Sequence, residues 1–261
     1  MYYAIAGIQE EGYYLINYND TLSQMAHKNR LLEILTEQMY ETLAPNLQQV
    51  SLNRGDMLHL PNETINELYF PIDCLLSITI TMSNGATAET GVVGNREVIG
   101  INAFMGGRET TQTEYVVQIA GTAMKIDAEI MRREFQQNQE LRDVMLRYTQ
   151  AFIAQISQSV GCNRLHQIEQ RLARWLLEVQ DRINSDELIL TQELISNMLG
   201  VRRSGVTQAA QKLQEEGLIS YSRGHIQILN QQKLEAKSCE CFQVVRDEYD
   251  RLLGRKERGK K

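Results

Sequence analysis

Between Thr191 and Leu218 the chain reads TQELISNMLGVRRSGVTQAAQKLQEEGL, and its most reactive recognition groups are Arg202 and Arg203, placed just after Gly200. The guanidinium fork of arginine matches guanine edges and phosphate oxygens, and the glutamine amide matches adenine. At 100° per residue, Ser204, Thr207, Gln208 and Gln211 share a window of about 100° on one side of a helix, with Arg203 at its flank. Val206, Ala210 and Leu213 fall on the opposite side at i, i+4 and i+7. None of the outward residues is acidic, and Glu215 and Glu216 wait until the far end. Such a face suits the DNA major groove, where each good bidentate contact is worth ~1–3 kcal/mol of discrimination. Thr191, Lys212, Arg223 and His225 complete the set expected to contact DNA. Arg202 stands where a hydroxyl would cap the helix, so its charge suits a phosphate and the first turn is expected to fray until DNA binds. The competing reading is a plain helical hairpin with solvated arginines, but an idle surface helix would usually mix Glu into its exposed face.

These side chains need elements to position them. Thr191 is the expected N-cap of a first helix whose apolar face is Leu194, Ile195, Met198 and Leu199, and Gly200 supplies a turn that tolerates positive φ. LISYSRGHIQIL then alternates on both sides of SRGH, which predicts a hairpin. Upstream, CNRLHQIEQRLARWLLEVQDR predicts an amphipathic helix with Leu165, Ile168, Leu172, Trp175 and Leu176 inward. Helix, helix-turn-helix and hairpin in this order make a winged helix-turn-helix. Residues 50–127 are rich in β-branched residues and cut by Gly, Asn and Pro; LLSITITM alternates and SNG signals a turn, which predicts a sandwich or β-roll. From Asp127 the period becomes helical, and Leu141, Met145, Tyr148, Phe152 and Ile156 form a narrow apolar seam. That seam is expected to pair with the same helix of a second chain, the alternative being packing on its own β-domain.

A chain of 261 residues, 43 % hydrophobic and 23 % charged, has room for two modest domains. The net charge of −6 disfavours coating nucleic acid by bulk electrostatics and leaves a local basic patch as the route to DNA. No basic leader and no long apolar run is visible, so a cytoplasmic protein without membrane contact is expected. Cys74, Cys162, Cys239 and Cys241 form no CxxC pair, and on a helix Cys239 and Cys241 would point about 200° apart. Reduced thiols, no metal and no cofactor are therefore expected. The four histidines are scattered without an HxH, which removes the ligands of a metal-dependent oxygenase, and no enzyme activity is expected.

Over roughly residues 28–254 this order of parts resembles the Crp/Fnr family of bacterial transcription regulators, and CNRLHQIEQRLARWLL, LGVRRSGVT and LEAKSCECF resemble a subgroup of it. The resemblance implies an α+β chain: an N-terminal extension (1–27), a cyclic-nucleotide-binding-like β-roll sensory domain (28–127), a dimerisation helix region (128–162), a winged helix-turn-helix domain with a C-terminal helix (163–254) and a basic tail (255–261). It implies a homodimer on a pseudo-palindromic site in double-stranded DNA, with RNA polymerase a further candidate partner. Arg203 would read a guanine, while Ser204 and Gln208 replace the acidic and basic readers of the best-known members, so the target should differ. In REVIGINAFMGGRETTQTEYVVQIAG, Ile101 and Asn102 follow Gly100 where cyclic-nucleotide binders carry Glu, and Gln112 and Glu114 flank Thr113 without an arginine. Cyclic AMP is therefore not the expected effector, whose identity stays open. Arg96 and Arg108 are the nearest cations and are expected to be solvated, with anion binding the alternative. The N-terminal cysteines of iron-sulfur members are missing from residues 1–27. The tail RLLGRKERGKK, with six Lys/Arg against one Glu, reads as a solubilising end or an extra phosphate contact. Two rivals remain: a β-roll ligand-binding or catalytic protein whose helix-turn-helix only packs, and an architectural protein without sequence preference, which the acidic net charge and the Gln/Ser face disfavour.

Overall fold

Short β-branched runs separated by turn formers give two antiparallel sheets in the computed structural model, which describes residues 28–106 and 110–254. The strands are β1 (Gln48–Leu52), β2 (Met57–His59), β3 (Glu67–Pro71), β4 (Leu75–Thr81), β5 (Thr87–Val93), β6 (Glu114–Ile119) and β7 (Gly121–Asp127). They order as β1-β7-β3 and β2-β6-β4-β5. Inward side chains of both sheets, Leu68, Phe70, Leu76, Val117 and Met124 among them, share one core. At the SNG turn Met82 N donates to Ala86 O at 2.8 Å, and Gly85 takes φ 81°. The alternation of β4 divides between two cores: Leu76 enters the roll, while Leu75 joins Val92 and Trp175 on the other side. The outer face of this sheet is thus a docking surface rather than a solvated one.

Two short helices, α1 (Arg30–Glu33) and α2 (Glu37–Leu43), precede the roll, and α3 (Asn102–Met105) lies within it. Asp127 caps α4 (Ala128–Gln137) by accepting from Glu129 N and Ile130 N. Asn138 then leaves helical geometry and caps α5 (Gln139–Leu165), a helix of 27 residues. The expected dimer seam is corrected here. Leu141, Met145 and Tyr148 are fully buried and Phe152 nearly so within this chain, packed on the roll core, with Ile156 half-buried beside them. The Tyr148 hydroxyl donates to Val98 O at 2.7 Å. The roll has an open apolar side that needs a cover, and the seam supplies it. The exposed apolar residues of α5 are instead Leu146 (48 %), Ile153 (57 %) and Val160 (68 %), and Leu165, expected inward, ends the helix 78 % exposed.

Beyond α5 come α6 (Ile168–Ile183), β8 (Glu187–Ile189), α7 (Gln192–Leu199), α8 (Arg203–Glu215), β9 (Ile219–Ser222), β10 (His225–Ile228), α9 (Gln231–Lys237) and α10 (Cys241–Leu253). The hairpin β9–β10 gains β8 as a third strand, in the order β8-β10-β9, from a run too short to show a period. Leu172, Trp175 and Leu176 of α6 are buried as expected, while Ile168 is half-buried; Arg174, Glu178 and Arg182 are buried too, because α6 also lies on the roll, and Arg171 is buried between the end of α5 and α7. Glu97 is fully buried: its Oε2 accepts from Gly94 N at 2.6 Å, and its Oε1 lies 2.8 Å from Arg182 Nη2. Gly94 permits that approach, since a Cβ there would fall 2.4 Å from Arg182 Cβ. Arg96 is not solvated, contrary to expectation. Covered by α6 and α10, it pairs with Asp181 and Asp250, each at 2.7 Å, and sits 5.6 Å from the Tyr249 ring centre. Tyr249 Oη donates to Gln155 Oε1 at 2.9 Å, tying α10 to α5. No helix among the described residues is long and apolar enough to cross a membrane. The N-terminal extension, Arg108 and the basic tail lie outside the described residues.

Candidate nucleic-acid interface

Local chemistry sets the two helices that frame the interface. Thr191 Oγ1 accepts from Leu194 N at 3.2 Å and starts α7. Gly200 ends it at φ 60°, ψ 39°, a left-handed conformation that costs other residues strain. Arg202 occupies the N-cap of α8 without a side-chain cap, as its residue type dictates. Val206, Ala209, Ala210 and Leu213 are buried, whereas Arg203, Ser204, Thr207, Gln208, Gln211 and Lys212 are exposed. At the tip of β9–β10, Arg223 (φ 48°) and Gly224 (φ 84°) both take positive φ, as a tight primed hairpin turn requires.

This turn brings the hairpin back to the helices. An open cleft of about 340 Å³ is lined by Thr191, Gln192, Arg203, Tyr221, Arg223 and Gly224, and contains no carboxylate among these six. Arg202, Arg203 and Arg223 have no ion-pair partner among the described residues. Other expected contacts are engaged within the chain. Lys212 is bound to Glu169 of α6, which raises the lysine pKa, and Gln211 Nε2 donates to Glu215 Oε1 at 3.0 Å. His225 lies 3.5 Å from Glu187. Gln192 and Tyr221 were not anticipated. Gln192 Oε1 accepts from Thr207 Oγ1 at 3.3 Å, and burial pushes the Tyr221 phenol up while Arg203 opposes it. The only sequence signals were a glutamine beside a cap and an aromatic residue in the wing.

In the roll, Asn102, Gln112 and Glu114 are each hydrogen-bonded to another side chain of the domain. Tyr115 Oη donates to Asn102 Oδ1 at 3.2 Å, and its ring lies 5.0 Å from that of buried His59, tilted by 40°. Gln112 Nε2 donates to Asn62 Oδ1 at 2.5 Å, and Glu114 Oε2 accepts from Thr79 Oγ1 at 3.2 Å.

The cysteine geometry also departs from expectation. Cys239 lies in the break after α9 and Cys241 is the first residue of α10, so the 200° separation on one helix does not apply. The thiols of Cys162, Cys239 and Cys241 and a ring nitrogen of His166 lie within 4.8 Å of one another. The hydrogen bond with Cys239 pushes the Cys162 thiol down, helped by Arg174, and the same contact pushes Cys239 up. Cys74 stands apart, its thiol donating to Thr122 O at 3.3 Å and pushed up to about 12 by burial.

A β-roll, a long helix and a winged helix-turn-helix in one chain define a class of DNA-binding regulator folds. Residues 170–237 match the family model described as the Crp-like helix-turn-helix domain. FixK2 from Bradyrhizobium japonicum is similar with a TM-score of 0.64 at 14 % identity, over 74 % of this chain and 98 % of that one. A CRP-family transcriptional regulator from Thermus thermophilus gives 0.60 at 17 % identity, over 72 % and 96 %. The c-di-GMP responsive global regulator CLP of Xanthomonas campestris gives 0.60 at 13 %, over 74 % and 99 %. No curated protein matches the chain. The fold is therefore that of the Crp/Fnr transcription regulators, and the helix-turn-helix is Crp-like.

Proposed function

We propose that this chain is a sequence-specific transcription regulator that binds a pseudo-palindromic site in double-stranded DNA as a homodimer. The observation that carries the reading is the outer face of α8, which bears no carboxylate before Glu215 in its last turn, with Arg202 and Arg203 unpaired among the described residues at its start and Arg223 of the wing across the same cleft. In that arrangement α8 enters the major groove, Arg203 reads a base edge, Ser204, Thr207, Gln208 and Gln211 contact neighbouring bases, and Arg202 and Arg223 hold phosphates. Thr191 and His225 flank the backbone, and Lys212 exchanges Glu169 for a phosphate. The function is binding rather than catalysis, in the bacterial cytoplasm where the DNA is, with RNA polymerase as the further partner.

The dimer contact moves to the exposed side of α5. Leu146, Ile153 and Val160 recur every seven residues, the spacing that keeps one apolar stripe facing a partner helix. Two such helices related by a two-fold would set the recognition helices ~34 Å apart, one turn of DNA. Cyclic AMP does not control this protein on our reading, since a buried phosphate needs a cation and Glu114 offers the opposite charge. The test is selection of bound sequences from a random pool, alongside sedimentation of Ile153→Asp. The expected outcome is a two-fold motif for the native chain, and a monomer with weak DNA binding for the variant. Asymmetric single half-sites, or a dimer that survives the substitution, would count against it.

A further inference from the structure

The ends of three helices, α5, α9 and α10, meet at one small, largely buried point. Cys162 and His166 are four residues apart at the last turn of α5 and project to the same side. Cys239 and Cys241 arrive from the α9–α10 junction, so the cluster is closed by residues 77 positions apart in the chain. Cys162 Sγ lies 3.5 Å from Cys239 Sγ, and Cys241 Sγ lies 3.5 Å from His166 Nδ1. A tetrahedral zinc ion, with Zn–S of ~2.3 Å and Zn–N of ~2.0–2.1 Å, holds its sulfurs ~3.8 Å apart and sulfur from nitrogen ~3.5 Å. The two shortest separations, 3.5 Å each, match the ligand shell of a single ion, and all four ligand atoms lie within 4.8 Å of one another, so a small inward shift completes it. They are too close to enclose the core of an iron-sulfur cluster, in which several irons stand between the cysteines.

We propose that Cys162, His166, Cys239 and Cys241 form a closed Cys3His site for one thiophilic divalent cation, Zn2+ in the first place. Binding forms three metal–sulfur bonds and one metal–nitrogen bond, sends the thiol protons to solvent and leaves a net charge of −1 on the site. The surroundings suit that charge and that ligand set. Arg171 and Arg174 are buried beside the thiols and interact with Cys162 and Cys239 electrostatically. The second ring nitrogen of His166, Nε2, lies 3.2 Å from a Glu240 carboxylate, the outer contact that orients a metal-bound imidazole. Gln158 Nε2 donates to Cys241 Sγ at 3.1 Å. A disulfide between Cys162 and Cys239 is the competing chemistry; it would use two of the four groups and leave Cys241 and His166 without a role.

The position gives the site a consequence. Arg171 also donates to Asn163 Oδ1 at 2.9 Å and to the carbonyl of Leu199, the last residue of α7 before the Gly200 turn. The ion would therefore fasten α10 to the end of α5 and brace, through Arg171, the first helix of the helix-turn-helix. Loss of the metal by chelation or thiol oxidation would loosen that brace.

The full-length protein, purified under reducing conditions and reconstituted with Zn2+, should retain one zinc per chain after dialysis, measured by mass spectrometry of the metal. Replacement by Co2+ should produce thiolate-to-cobalt charge transfer and the strong visible bands of a tetrahedral ion. Cys241→Ser and His166→Ala should lower zinc retention at least tenfold, while Cys74→Ser retains it. If the variants do not fold, the cobalt spectrum of the native chain decides alone. Zinc below a tenth of an equivalent with all thiols reduced, or an octahedral cobalt spectrum without charge transfer, would overturn the site. So would a Cys162–Cys239 disulfide as the stable form that reduction and Zn2+ do not replace. None of these readouts depends on DNA binding, so failure of the site and failure of the regulator reading are separate results.

Discussion

The helices Ile168–Ile183 and Arg203–Glu215 pack against each other in one domain, yet they treat positive charge in opposite ways. The first buries Arg174 against Glu178 at 2.7 Å and Arg182 against Glu97 at 2.8 Å. The second leaves Arg203 exposed and, among the described residues, unpaired, at the edge of an open cleft. Arg174 is answered within its own helix, and Arg182, answered by Glu97 of the roll, is part of how two domains hold each other. An arginine left unanswered, beside others of the same kind, is poised for an anion from outside. The difference lies in the partner and not in the residue type.

The largest expected effect tests that contrast directly. Arg182→Met leaves Glu97 buried without its counter-charge and should cost about 3–5 kcal/mol of stability in urea titration. Arg203→Ala should stay within about 0.5 kcal/mol. Equal losses would dissolve the comparison.

Next is the half-buried carboxyl of Glu89 between the two domains. Glu89 accepts from Trp175 Nε1 at 3.2 Å and from Ser77 Oγ at 2.7 Å. Burial pushes its pKa up to about 7, with Ser77 and Trp175 pulling against it and Glu178 adding to the rise. The folded protein therefore holds this proton where the unfolded chain, near 4.5, has lost it. The stability it contributes is fully present below 4.5 and is lost as pH rises through 7, by about 3 kcal/mol in all. Glu89→Gln should flatten that slope, measured as the difference between native and variant unfolding midpoints from pH 4 to pH 8. A parallel pair of profiles would show that the carboxyl stays ionised in the joint.

A smaller effect separates the neighbouring arginines on DNA. Arg203→Ala should lose ~1–3 kcal/mol per half-site and relax preference at one base pair, with scrambled DNA less affected. Arg202→Ala should weaken both DNAs alike and reduce the salt slope by about one for each phosphate it no longer neutralises. Salt titrations on both DNAs distinguish these, and parallel losses for Arg203→Ala would remove its assignment as a base reader. The smallest effect is that of Thr191→Ala, which removes the cap of the first helix and should cost ~1 kcal/mol by thermal unfolding.

The helix-turn-helix was legible because its determinants are local. The Thr191 cap, the positive φ of Gly200, the inward spacing of Val206, Ala210 and Leu213 and the SRGH hairpin each act within a few residues. The apolar period of α5 was legible too, but not its destination. Periodicity says that Leu141, Met145, Tyr148 and Phe152 share a face; it carries no information on whether a second chain or the roll covers that face. Arg96 in a polar loop gave no sign of the two carboxylates that reach it from α6 and α10.

What the sequence by itself determined is therefore the order of elements and the chemistry of the α8 face, since propensity, capping and periodicity are properties of short windows. What only the tertiary structure decided is which side chains meet across the chain. Cys162 and His166 share a helix face by spacing alone, but Cys239 and Cys241 join them because the chain breaks at the start of α10 and that helix returns along α5. No window of sequence contains that encounter, because it depends on where two helices pack rather than on what either one is made of.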